Sequence, residues 1–90
     1  MINEQFYLFT FRSTHSAMEA QKLLKNCRPI IMPTLRSISS TCGISIRIEE
    51  SFLQQAKSLI EAEPGMSGMV VLYQIERIEK VDIPTLVTEF

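Results

Sequence analysis

Ile30-Ile-Met-Pro-Thr-Leu-Arg-Ser-Ile-Ser-Ser-Thr-Cys-Gly-Ile-Ser-Ile-Arg-Ile48 consists of two short apolar runs joined by a long polar connection. The second run alternates strictly, with Ile44, Ile46 and Ile48 on one face and Ser45 and Arg47 on the other, as a half-buried strand requires. On that pattern Arg47 is an exposed sheet residue. The first run is bracketed by Pro29 and Pro33, which suits a sheet edge, where missing amide donors do least harm. Between the runs, five of the eight residues from Thr34 to Thr41 carry hydroxyls. Hairpin connections are usually shorter, so this loop needs a reason. It ends in Cys42, followed by Gly43, and a thiol in that setting is a candidate reactive group.

Working outward, Phe6-Tyr-Leu-Phe-Thr-Phe11 is aromatic and apolar on both alternating faces and reads as a central strand. Phe6, Phe9 and Phe11 are core residues on this reading. Ser13 or Thr14 can cap the helix that follows, with Ser16 and Glu19 as a competing capping box. Ala17, Ala20, Leu24 and Cys27 recur at helical spacing, and Arg28-Pro29 ends the helix. Ser51 to Gln54 forms a second capping box ahead of a helix striped by Phe52, Ala56, Leu59 and Ile60. Pro64-Gly65 stops that helix, and Met69 to Ile75 is the fourth strand.

The order βαββαβ predicts an α+β ferredoxin-like plait, with sheet order 4-1-3-2 and both helices on one face. Residues 1–76 form that domain and 77–90 a C-terminal extension. Val81, Ile83, Leu86, Val87 and Phe90 make the extension too apolar for a disordered tail. A fifth strand, or a hook docking on the sheet or on a partner, is expected there.

Composition narrows the function classes. Ninety residues make one small domain, and 46% hydrophobic with 21% charged residues is ordinary globular usage. A net charge of −1 argues against a general nucleic-acid or membrane-surface binder. The charge is uneven: Lys22, Lys25, Arg28, Arg36 and Arg47 lie in a span from Glu19 to Glu49 without an intervening carboxylate. If those cations share a surface, small anions are preferred near the central loop. No apolar run is long enough to cross a bilayer and no secretory signal is apparent, so a cytoplasmic location is the default expectation. The two cysteines have no metal-ligand spacing, so no metal site and no cofactor are expected.

In a plait of this order, Arg12, Ser13, Thr14, His15, Arg36 and Cys42 gather at one pole, beside the Pro64 to Gly68 turn. Cys42 then lies near the first helix N-terminus, which carries roughly half a positive charge. Such a setting lowers a thiol pKa and favours the reactive thiolate. Gly43 leaves room for close approach, and Ser39, Ser40 and Thr41 offer hydroxyls to an anionic sulfur or selenium. His15 is a candidate partner for the thiol and Arg36 a candidate anion anchor. Cys27 falls at the opposite pole, across a strand spanning on the order of 17 Å. Disulfides need Cα atoms within about 7 Å, so no intrachain bridge is expected.

Phe9-Thr-Phe-Arg-Ser-Thr-His15, the helix through Lys22-Leu-Leu24, and Pro33 to Gly43 together resemble one small bacterial family, described as selenium/sulfur carrier-like proteins of unknown function. The resemblance implies a carrier cysteine at Cys42, holding sulfur or selenium as a persulfide or selenosulfide. Arg36, Ser39, Ser40, Cys42 and Gly43 keep the family pattern. Arg12, Leu35 and Ser37 depart from it, standing where members often have proline, proline and glutamate.

Three function classes follow. A carrier would accept sulfur or selenium from a donor protein and pass it to an acceptor protein. A non-catalytic ligand-binding or protein-interaction module would use the open sheet face and the extension, which also allow a homodimer. An enzyme is less favoured, because no Ser-His-Asp set, paired carboxylates or phosphate-cradling glycine run is present. The third strand also lacks the exposed aromatics of RNA-binding domains of this fold.

Overall fold

The chain is described by a computed structural model covering residues 4–38 and 43–90. Its elements are β1 (Glu4–Phe11), α1 (Thr14–Leu23), β2 (Ile30–Pro33), β3 (Ile44–Ile48), α2 (Leu53–Glu61), β4 (Val70–Ile78) and β5 (Val81–Glu89). Short 3-10 turns occupy Lys25–Cys27, Glu50–Phe52 and Pro64–Met66. The strands form one antiparallel sheet in the order β2-β3-β1-β4-β5. This corrects the expected four-stranded order 4-1-3-2. β4 is not an edge, because β5 pairs along it from Ile78–Val81 to Val71–Glu89. The proline-bracketed β2 lies at the other edge, and the aromatic β1 lies between β3 and β4.

Strand alternation divides the sheet into two faces. Phe9, Phe11, Ile46, Ile48, Val70 and Leu72 share one buried cluster with Ala17, Ala20 and Leu24 of the first helical segment and Ala56 and Ile60 of α2. The opposite face buries Phe6, Leu8 and Ile75, and it is covered by Ile38 with Leu35 and Met32. Both faces of β1 are therefore dry, which is why that strand reads as apolar throughout. Burying a side chain of this size contributes about 1.5–3 kcal/mol.

Helix ends depart from the sequence expectations in instructive ways. Ser13 is the α1 N-cap, and its hydroxyl accepts from the Ser16 amide at 3.1 Å. Ser16 is thus consumed by that cap and does not open a box of its own. α1 ends at Leu23, before Arg28-Pro29; a 3-10 turn carries Cys27 into the core and Arg28 adopts φ 52°. Ser51 caps nothing. It lies in a 3-10 turn, and Phe52 precedes α2 without a side-chain cap bond.

The C-terminus is tied down. The Phe90 amide donates to the Val70 carbonyl at 3.0 Å, and the Phe90 carbonyl accepts from the Gly68 amide at 2.6 Å. The Phe90 ring lies 6.0 Å from that of Phe9. Gly68 has φ +76°, a left-handed conformation that costs glycine nothing. Glu79 and Lys80, at φ 49° and 72°, form the two-residue turn between β4 and β5. Pro84 is accommodated because β5 is an edge.

Candidate functional site

The central loop is pinned at two places. At its base the Thr34 amide donates to the Gly43 carbonyl at 3.0 Å, and the Thr34 and Ser45 hydroxyls are 2.7 Å apart. Farther along, the Ile38 amide donates to the Leu35 carbonyl at 3.0 Å, forming a tight turn. That turn seats Ile38, only 5% exposed, on the sheet face opposite the helices. Ser39, Ser40, Thr41 and Cys42 lie outside the described residues. The loop segment carrying Cys42 therefore joins an apolar anchor at Ile38 to Gly43, the residue before β3.

Arg12 and Gly43 come to the same end of the sheet. Thr10 pairs with Ser45 in the antiparallel register, and Arg12 lies two residues after Thr10 while Gly43 lies two residues before Ser45. The Arg12 amide donates to the Met69 carbonyl at 3.0 Å, which ties that end of β1 to the start of β4. A Cβ at Gly43 would meet nothing within 4 Å among the described residues.

The turn that holds Arg36 and the helix that holds His15 pack on opposite faces of the sheet. Arg36 lies in the turn between Leu35 and Ile38, on the face opposite the helices. His15 belongs to the first turn of α1, in the helix layer, where it lines an open cleft together with Glu63 and Met66. The sheet lies between the two layers. The central cations do not share one surface. The Arg28 guanidinium lies 5.8 Å from the Phe52 ring, whereas Arg47 faces away from the helices.

Arg47 is not the exposed residue that alternation predicts. Its guanidinium stacks 4.2 Å from the Phe6 ring centroid and donates to Glu4 at 2.6 Å. Its Nε is buried and has no hydrogen-bond partner among the described residues. Arg77 lies 5.7 Å from the same ring, reaches Glu4 at 3.4 Å and grips Asp82 through bonds of 2.6 and 3.1 Å. The bond from Arg77 holds the Asp82 carboxyl below its ordinary pKa, against a smaller opposing effect of burial. This cluster consists of two cations and two carboxylates around one ring, so it locks β1, β3, β4 and β5 together without net charge.

Cys27 is fully buried, and burial raises its thiol pKa above the ordinary value. It has the character of an inert core residue. No group of three or more His, Cys, Asp or Glu side chains converges among the described residues. No helix among them is long and apolar enough to cross a membrane.

Two features escaped the sequence reading. Ile38 is the anchor of the loop, and its signal was available: a lone isoleucine among hydroxyl residues. The side chains facing His15 across the cavity come from a turn about fifty residues away, and nothing local announces them.

A family model described as "Putative Se/S carrier protein-like" matches residues 6–81, a span that contains the whole loop. No curated protein and no solved structure matches the chain.

Proposed function

The chain belongs to the family described as "Putative Se/S carrier protein-like", and from that premise we propose that Cys42 is the carrier thiol for sulfur or selenium. The observation that carries this reading is the family match running through the loop between β2 and β3. Cys42 is the one cysteine of that loop, and the other cysteine is sealed in the core.

The step is thiolate exchange. The Cys42 thiolate attacks the terminal sulfur of a donor protein's persulfide. The donor's S–S bond breaks, its electron pair leaves with the donor thiolate, and a new S–S bond forms on Cys42. In delivery, an acceptor nucleophile takes the terminal atom and the Cys42 thiolate is the leaving group. Selenium follows the same course as a selenosulfide. Neither step changes the net oxidation level, so no cofactor is required. Donor and acceptor proteins are the partners, and the reducing cytoplasm is the compartment we assign.

In this proposal Arg12 supplies positive charge at the end of the sheet that holds Gly43, and Gly43 leaves its backbone accessible. Ser39 and Ser40 donate to the charged sulfur or selenium, and Arg36 binds an anionic group of the partner. His15, in the helix layer, is the weakest member of the set. The scaffold is read as a ferredoxin-like plait over residues 1–76 with an extension at 77–90.

The test is mass spectrometry of the native protein after incubation with a persulfide donor or with a donor carrying terminal selenium, such as glutathioselenol (GS–SeH). A mass increase of one sulfur or selenium on Cys42, lost in Cys42→Ser, is the expected result. No adduct at Cys42, with an ordinary thiol pKa near 8.5, would overturn it.

A second reading, a non-catalytic interaction module, is favoured by β5. Val81, Ile83, Leu86 and Val87 are all exposed on that edge strand, and exposed apolar edges are pairing templates. A homodimer through this edge belongs to the same reading. Partner binding that survives Cys42→Ser would favour it.

A further inference from the structure

We propose that the cleft between α1 and the Pro64–Met66 turn binds a free α-amino acid with an aliphatic or thioether side chain. The cavity has a volume of about 450 Å³, within the roughly 300–1,000 Å³ of small-molecule sites. It is independent of Cys42, so it stands or falls apart from the carrier proposal.

The wall chemistry selects the ligand. Ser16 and Met66 line the cavity yet are only 4% and 3% exposed, and Leu23 beside them is half-buried. Leu23 supplies the apolar wall for an unbranched or lightly branched side chain, with Met66 as the nearly buried floor beneath it. The Ser16 hydroxyl accepts from the Ser13 hydroxyl at 3.0 Å, which directs Ser16's own proton elsewhere as a donor.

Charges of both signs stand at the mouth. Glu63 accepts from the Gly65 amide at 3.2 Å through one oxygen, which orients the carboxylate while lone pairs remain for an ammonium. On the α1 side, Lys22 lies 3.7 Å from Glu19 as an exposed pair. Such pairs contribute about 0–1 kcal/mol, so a ligand carboxylate can recruit Lys22 at little cost. A plain anion would meet Glu19 and Glu63, and a plain cation would meet Lys22. A molecule carrying an ammonium and a carboxylate on one carbon satisfies both, with the His15 ring available as a further polar contact.

The test is an amide-resolved NMR titration of the full chain with L-methionine and L-leucine, set against N-acetyl-L-methionine and L-methionine methyl ester. Saturable shifts confined to residues 15–23 and 63–66 are expected with the free amino acids. Each blocked form should bind about tenfold more weakly or worse. Glu63→Gln and Lys22→Met should each weaken the free amino acids to a similar degree. Both side chains are exposed, so these variants keep the remaining spectrum unchanged. The proposal is overturned if no saturable shift appears at tens of millimolar, if the shifts map elsewhere, or if blocked and free forms bind alike.

Discussion

The Thr34 amide donates to the Gly43 carbonyl and closes the central loop at its base. The loop's other fixed point is Ile38, buried on Phe6, Leu8 and Ile75. Nothing else in the cluster comes from outside the sheet except Leu35 of the same turn. Ile38→Ala should therefore lower stability by about 2 kcal/mol, the lower end of the usual isoleucine-to-alanine range, because the site is near the surface and can partly collapse. Denaturant midpoints measure that loss. The alkylation rate of Cys42 should rise in the same variant, since its loop loses an anchor. An unchanged midpoint would mean that Ile38 does not hold the turn.

Native-state alkylation separates the two thiols. Cys27 has no exposed surface and its pKa is raised by burial, so it should label only as the protein opens. One label per chain under native conditions and two in denaturant is the expected count. Cys27→Ser should cost about 1–3 kcal/mol, because a hydroxyl then enters an apolar cluster. Rapid native labelling of Cys27 would contradict its placement.

Much of this architecture is legible in the residues. The doubly apolar β1 and the edge prolines of β2 are met in the sheet, and Ile44, Ile46 and Ile48 share one face of β3, although Ser45 on the other face is fully buried as well. What the sequence conceals is long-range. Alternation places Arg47 on the face opposite Ile46 but cannot say that Phe6, Glu4 and a folded-back turn will cover that face. The β4–β5 hairpin is hidden for another reason. Its turn is Glu79-Lys80, with neither the Asn-Gly nor the Asp-Gly signal that normally marks such a turn. The helix start at Leu53 is displaced because a 3-10 turn takes up the expected cap. For the candidate site, the loop and its cysteine are visible as a motif, whereas the layer that the Leu35–Ile38 turn joins depends on which face the turn chooses.

That unusual turn yields a stabilising prediction. Glu79 and Lys80 both hold positive φ, which side chains with a Cβ disfavour. Glu79→Asn with Lys80→Gly should raise stability by about 1 kcal/mol through relief of that strain. Thermal unfolding of the double variant checks this. The reverse experiment is Gly68→Ala, which imposes φ +76° on a residue with a Cβ and should destabilise by about 1 kcal/mol or more. A neutral Gly68→Ala would mean that the Gly68–Phe90 closure is looser than described.

The Arg77–Asp82 pair makes a prediction about acid stability. Its principal cause is the bidentate bond from the guanidinium, which lowers the Asp82 pKa in the folded chain relative to the unfolded one. A depressed carboxylate pKa means that the unfolded state binds the proton more readily. The stabilisation is then fully present above the unfolded value of about 3.9 and is lost as pH falls through the folded value below it. Asp82→Asn removes that titration. Relative to the parent chain it should be less stable at pH 7, and the gap should narrow as pH falls below about 4. Urea midpoints at a series of pH values measure both features. If the two curves stay parallel through the acid range, Asp82 is not linked to folding, and the β4–β5 edge is held by its backbone ladder and by Phe90 instead.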